Sequence, residues 1–172
     1  MKVLVFTTLY PNNVWPNQGV FIKERMTQFA RLDGCEVKVV APVPYFPPIK
    51  ANWRWRFSQV APSEVRDGIE VYHPRYYMTP KWGMTLYGIL MFLSVVLAVR
   101  KLRRDFDFDL IDAHFVYPDG FAAVLLGKCF NKPVVVTARG SDVNLYSAFP
   151  IIHRLLRYTL NEAKSVIAVS GP

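Results

Sequence analysis

The sequence predicts an α/β fold, an open parallel sheet with helices on both faces. Three observations predict it. Short apolar runs alternate with longer segments of helical period along the whole chain. The runs are apolar on successive residues, as strands covered on both sides must be. At 172 residues, 52% hydrophobic and 20% charged, the chain is one domain long and has enough apolar side chain to fill a core between layers.

Lys2–Thr8 is a continuous apolar strand. Gly19–Leu32 is a helix with Ile22, Met26, Phe29 and Ala30 on one face, and Asp33-Gly34 ends it. Glu36–Ala41 is the second strand, stopped by Pro42. Residues 42–66 read as one long loop, rich in proline and carrying Trp53, Arg54, Trp55, Arg56 and Phe57. Ile69–His73 is a short strand. Trp82–Val99 has no charge and is closed by Arg100, Lys101, Arg103 and Arg104. As a helix it is about 27 Å long, just short of a ~30 Å hydrocarbon core. Three readings of it stay open: a buried or half-buried helix, a membrane-surface helix, and a span. The basic cluster also suits a helix C-terminus, where cations complement the dipole. Asp109–His114 is a strand, Pro118–Phe130 a helix with proline in its first turn, Pro133–Ala138 a strand, Ala148–Glu162 a helix and Ser165–Ser170 a strand.

Composition narrows the function. Cys35 and Cys129 form no CxxC, which speaks against a thiolate zinc site or a disulfide scaffold and fits a reducing compartment. The net charge of +8 is spread over both halves. That suits an anionic membrane face or phosphate-bearing ligands better than nucleic acid, which favours a basic stripe. The N-terminal MKVLVFTTLYP lacks the long apolar region and cleavage site of a signal peptide. There is no GxG, no Walker A and no GxSxG. His73, His114 and His153 have no metal-like spacing, so no metal is expected.

In sheets of this kind ligands bind outside the carboxyl ends of the strands. That edge receives the Leu9–Gln18 loop, the loop after Ala41, His114 to Asp119, and Arg139 to Asn144. The far edge receives Asp33, Asp105, Asp107, Lys132 and Lys164. Asp107-Phe108-Asp109 has the form of a metal-holding DxD but falls at the amino end of a strand, and reads as a solvated turn. His114 ends a buried strand. Either it donates a hydrogen bond or proton into the crevice, or it is a core histidine satisfied by a carbonyl. In Arg139-Gly140-Ser141-Asp142, Ser141 or Asp142 caps a short helix, while Arg139 is placed to pair with phosphate or carboxylate. The Pro11–Gly19 loop leads into a helix, whose first N–H groups suit an anion or hydroxyls.

These segments together resemble a known family. KVLVFTTLYPNNVWPNQGVFIKERMTQFARLDGCEVKVVAP resembles the opening of glycosyltransferase family 4. FDLIDAHFVYPDGFAAVLLGK is similar to its "fDvvHaHw…pdG…a" segment, PVVVTARGSDVN to "PvvvT.HGsD", and LNEAKSVIAVS to "ad.viavS". The match runs along nearly all of the chain. The resemblance implies a Rossmann-like domain, the amino-terminal half of a GT-B fold, in a retaining transferase. Such an enzyme moves a sugar from a nucleotide-diphosphate sugar to an acceptor with no cofactor beyond that donor. This half mainly binds the acceptor, a lipid-linked or polysaccharide glycan.

Gly19 matches the family's loop glycine, flanked by Asn17 and Gln18; where many members have two glycines, Gln18 stands first. His114 matches the histidine expected to hydrogen-bond the transferred sugar. Gly140, Ser141 and Asp142 match the "GsD" positions, and Arg139 replaces the usual histidine. The family's carboxy-terminal donor domain holds the sugar nucleotide with two glutamates eight positions apart. Glu24, Glu36, Glu64, Glu70 and Glu162 contain no such pair. Residues 1–172 are therefore expected to be a single domain, truncated or a natural half-enzyme, inactive alone and completed by a carboxy-terminal domain. Trp53, Arg54, Trp55 and Arg56 either engage a lipid headgroup or sugar face, or pack back on the domain. The expected location is cytoplasmic, peripheral on the inner face of the plasma membrane, with no nucleic-acid partner. The alternative is a stand-alone, non-catalytic module of the same fold that binds sugar or anionic lipid.

Overall fold

The computed structural model describes residues 1–50, 52–78, 84–140 and 149–169. Its strands are β1 (Lys2–Phe6), β2 (Glu36–Val40), β3 (Val43–Pro44), β4 (Ser63–Arg66), β5 (Ile69–Tyr72), β6 (Arg75–Tyr76), β7 (Leu110–His114), β8 (Val134–Ala138) and β9 (Ser165–Ala168). Its helices are α1 (Val20–Ala30), α2 (Tyr87–Asp105), α3 (Phe121–Phe130) and α4 (Pro150–Glu162). Seven strands form one sheet in the order β4-β5-β2-β1-β7-β8-β9. Every pair is parallel except β4 with β5. The parallel strands, taken in chain order, lie 3-2-1-4-5-6, the doubly wound Rossmann order. The chain reverses its direction across the sheet between β1 and β7, which pair from Val3 with Leu110 to Phe6 with Ala113.

Period-two alternation on β1 builds a core on each face. Val3 and Val5 pack with Ile22 and Met26 of α1 and with Val37, Val39, Ile69 and Val71. Leu4 and Phe6 face the other way, among Met91, Val95 and Val99 of α2, Phe121 and Leu126 of α3, and Ile111 and Val136. Each such fully buried side chain contributes about 1.5–3 kcal/mol. Gly88 lets α2 approach α3, because a Cβ there would lie 2.6 Å from Cδ1 of Phe121.

Two sequence expectations need correction. Residues 42–66 are not one loop: they hold β3, a 3₁₀ helix over Trp53–Gln59 and β4. The Asn52 side chain caps that 3₁₀ helix, accepting from the Arg54 N–H at 2.9 Å. β4 turns into β5 through Asp67 and Gly68, whose φ of 48° and 81° suit the tight turn of an antiparallel hairpin. Pro118 is not in the first turn of α3. It lies in a wide turn over Val116–Gly120, and the helix starts at Phe121. Of the three readings of the apolar segment, the half-buried helix describes α2, which turns Gly88, Met91, Val95, Val99 and Leu102 inward against the sheet. Trp82 and Gly83, where it was expected to start, lie outside the described residues.

Candidate functional site

The reversal between β1 and β7 opens a crevice at the carboxyl ends of the strands, and the polar side chains gather there. β1 stops at Phe6 because its backbone changes partners. The Thr7 N–H still donates to the Val40 carbonyl at 3.1 Å, but the Thr8 N–H donates to Asp119 Oδ2 at 2.7 Å. The Thr8 hydroxyl donates to the same carboxylate at 3.0 Å. Asp119 is fully buried. It ties the loop after β1 to the loop after β7.

His114 ends β7 and is 0% exposed. An arginine can only donate. Arg139 Nη2 lies 3.3 Å from His114 Nδ1, so Nδ1 presents its lone pair and the neutral ring carries its proton on Nε2. Nε2 faces Asp112 Oδ2 at 3.6 Å, and Arg25 of α1 lies 3.9 Å from that oxygen. Among the described residues, His114 Nε2, Asp112 Oδ1 and Thr137 Oγ1 are buried without a hydrogen-bond partner. The ring is therefore held by side chains, not by the carbonyl that a core histidine would use. His73 shows the contrast, with its ring nitrogens 3.1 Å from the Ala41 carbonyl and 3.0 Å from Glu64.

The first loop closes on the same place. Gly19 has φ +64° and stands at the N-cap of α1, and a Cβ there would lie 2.3 Å from the Leu9 carbonyl oxygen. Two residues on, the Phe21 ring sits 3.9 Å from the Arg139 guanidinium. Arg139 thus bridges His114 and the first turn of α1. Gly140 has φ +83°, and among the described residues nothing lies within 4 Å of where a Cβ would stand. Ser141 and Asp142 lie outside the described residues.

Asn17 and Gln18 face another neighbour. With Trp15, Trp53 and Phe57 they line an open cleft of about 460 Å³. The run Trp53, Arg54, Trp55, Arg56 folds back onto this loop. Trp15 and Phe57 meet at 4.7 Å between centroids, Arg56 lies over Trp15, and Asn13 bonds the Gln59 carbonyl at 2.9 Å. Arg54 stacks over Phe46 and Trp53, and Lys50 over Trp55. Arg75 donates to the Phe57 and Val60 carbonyls from below, and burial lowers its pKa. The packing-back reading describes this run well, although Trp53 remains 62% exposed.

On the opposite edge, Asp107 pairs with Arg103 and Lys132, and Asp109 accepts from the Lys2 N–H at 2.7 Å. Among the described residues, no three His, Cys, Asp or Glu side chains converge as a metal site. Sequence reasoning missed Thr8, Asp112, Asp119 and Arg25. The signal for Asp119 was its place on the ligand edge beside a glycine; its partner Thr8 is 111 residues away.

A Rossmann-ordered sheet with buried His114 and Asp112 and half-buried Arg139 clustered at its switch point defines a doubly wound α/β domain. Residues 18–172 match the model of Glycosyltransferase Family 4, and the chain belongs to that family. A Bacillus subtilis (strain 168) protein named for teichuronic acid biosynthesis, the glycosyltransferase TuaC, is 34% identical over 177 residues. The alignment takes in 99% of this chain and 44% of that relative, so the chain spans under half of the relative's length. Among solved structures, sucrose-phosphate synthase from Thermosynechococcus elongatus superposes with a TM-score of 0.63 at 12% identity, over 96% of this chain and 41% of the other. UDP-GlcNAc 2-epimerase from Neisseria meningitidis, bound to UDP-GlcNAc, does so at 0.54 and 19%, over 95% and 39%. At these identities the likeness is one of fold.

Proposed function

We propose that this chain is the acceptor-side domain of a retaining glycosyltransferase. The enzyme moves a sugar from a nucleotide-diphosphate sugar to a lipid-linked or polysaccharide acceptor at the cytoplasmic membrane face. The observation that carries this reading is the cluster at the switch point of a family 4 chain: His114 clamped by Arg139 and Asp112, beside the Gly19 turn. The clamp fixes the imidazole in one orientation, and its Nε2–H, turned toward Asp112 here, is the donor that a hydroxyl of the transferred sugar would take up. A preorganised donor of that kind is worth about 10²–10³ in rate. Arg139 adds a permanent positive charge next to it, which suits a departing diphosphate or an anionic acceptor.

The test uses the full-length protein. It is incubated with a panel of nucleotide-diphosphate sugars and a lipid extract of its own membranes, and nucleoside diphosphate release and glycan extension are followed. His114→Ala is expected to lower kcat by about 10²–10³-fold, far more than the loss of folding stability from removing a buried ring accounts for. Wild-type turnover in that variant removes His114 from the site. Sugar or lipid binding without any transfer, by the wild type, makes the chain a binding module instead.

A further inference from the structure

The two loops that meet beside the Gly19 turn carry charge of one sign. From Met1 to Lys23, and again from Val37 to Ser63, the sequence has no Asp or Glu. The second stretch holds Lys50, Arg54 and Arg56. Among the described residues these three side chains form no ion pair and no hydrogen bond. They lie over aromatic rings instead: Lys50 is 5.3 Å from the Trp55 centroid, Arg54 5.9 Å from Trp53 and Arg56 5.6 Å from Trp15. A guanidinium stacked on a ring uses its face and keeps its N–H edge for an oxyanion.

The packing that folds this run back also builds the open cleft of about 460 Å³, a volume in the range of small-molecule sites. Trp15, Trp53 and Phe57 wall it, with Asn17 and Gln18 beside them. The walls are fixed in advance. Asn12 Oδ1 accepts from the Val14 and Trp15 N–H groups at 3.0 and 2.9 Å and shapes the first loop. Asn13 donates to the Gln59 carbonyl and accepts from the Ala61 N–H, both at 2.9 Å, and so ties that loop to the second. Among the described residues the Asn17 and Gln18 side-chain amides have no hydrogen-bond partner.

Ring faces, spare amides and unpaired guanidinium edges are what an acidic sugar needs. Its C–H face lies on an aromatic ring, its hydroxyls bond amides, and its carboxylate or phosphate takes the arginine. We propose that this cleft binds a negatively charged sugar residue of the acceptor glycan. Gln18 precedes the Gly19 turn, and Phe21 beyond it touches Arg139. The cleft therefore adjoins the switch-point crevice and holds a neighbour of the sugar that reacts. The proposal rests on the acceptor-side reading above, but its test needs no transfer.

The experiment is calorimetric titration of the full-length protein, without donor, at low and high salt. The probes are fragments of oligogalacturonate and hyaluronan, which carry carboxylates, phosphomannan, which carries phosphate, and neutral malto-oligosaccharide of equal length. The wild type is expected to bind an acidic probe about tenfold more tightly than the neutral one, and less tightly at high salt. Which acidic probe it prefers separates carboxylate from phosphate. Arg54→Gln with Arg56→Gln is expected to erase that preference, and Arg54→Lys with Arg56→Lys to recover part of it. Trp53→Ala is expected to weaken binding about three- to tenfold, and Trp53→Phe to restore most of the loss. Trp53 is 62% exposed, so its variants should keep the wild-type melting curve. Failure to bind any acidic probe overturns the proposal, as does equal binding of acidic and neutral probes. Binding unchanged in the Trp53 and arginine variants overturns it too. Displacement of the acidic probe by a nucleoside diphosphate, or capture by phosphatidylglycerol vesicles with no glycan bound, gives the cleft to another ligand and also overturns it. Transfer without acidic-glycan binding sinks this proposal alone; acidic-glycan binding without transfer sinks the transfer reading alone.

Discussion

Asp119 does at one residue what the crevice needs as a whole. It accepts from both the N–H and the hydroxyl of Thr8 and so fixes two loops that arrive from distant parts of the chain. Asp119→Ala leaves the Thr8 N–H without its acceptor, at a cost of about 1–3 kcal/mol. Urea denaturation should show that loss, and Asp119→Asn, which keeps one oxygen acceptor, should recover part of it. A wild-type midpoint for Asp119→Ala would show that water serves Thr8 as well. Gly19 was legible from sequence because a glycine before a helix announces its own geometry. Asp119 was not, because its role depends on a partner that no local spacing reveals. His114 was legible as a position at a strand end. Its clamp was half legible, since Arg139 lies on the next strand's end while Asp112 looks like an ordinary strand residue.

The elements are more uneven. α/β alternation exposed every long strand and helix, because continuous apolar runs and the 3.6-residue period both leave strong marks. The short pieces β3, β4 and β6 did not show, since runs of two to four residues carry no period. Asp67-Gly68 was a hairpin signal, but Glu64 and Val65 alternate too briefly to confirm a strand. The β2–β5 pairing carries a cluster with a pH consequence. Glu70 accepts from Lys38 at 2.9 Å and from the Tyr72 hydroxyl. First the Tyr72 bond and then Lys38 hold the Glu70 carboxyl below its ordinary 4.5, while Glu70 pushes Tyr72 up to about 12.

The signs are opposite at the two ends of the pH range. The depressed carboxylate stabilises the fold above pH about 4.5, and that contribution is lost as pH falls through its lower folded value. The raised phenol stabilises it below pH about 10, and that is lost as pH rises toward 12. Glu70→Gln should therefore narrow the difference in urea midpoint between neutral pH and both extremes. An unchanged pH profile would mean that the cluster contributes nothing measurable.

On the scale of the whole molecule, the sequence pattern was enough for the sheet, its parallel sense and the edge that carries the site. Strand order was not legible in composition, since each strand is apolar enough to be central. The resemblance implied a Rossmann-like domain without naming an order, and the structure supplies it. Sugar transfer needs a water-poor cleft with groups on both sides of the reacting centre. One sheet edge offers only one side. On the transfer reading proposed above, residues 1–172 expressed alone are expected to release no nucleoside diphosphate from any donor, while the full-length protein does. Turnover by the isolated domain would place the donor site within these residues.

The central pairing of β1 with β7 also sets a clock. β1 can pair with β2 as soon as residues 36–40 are made, but its other edge has no partner until residues 110–113 follow. At about 5–20 residues per second, that edge waits on the order of 5–20 s on the ribosome. For that interval a strand destined for the middle of the sheet is an edge, with Val3, Leu4, Val5 and Phe6 exposed to any passing chain. The strand that sits most deeply in the finished protein is the one that spends longest unprotected while it is being made.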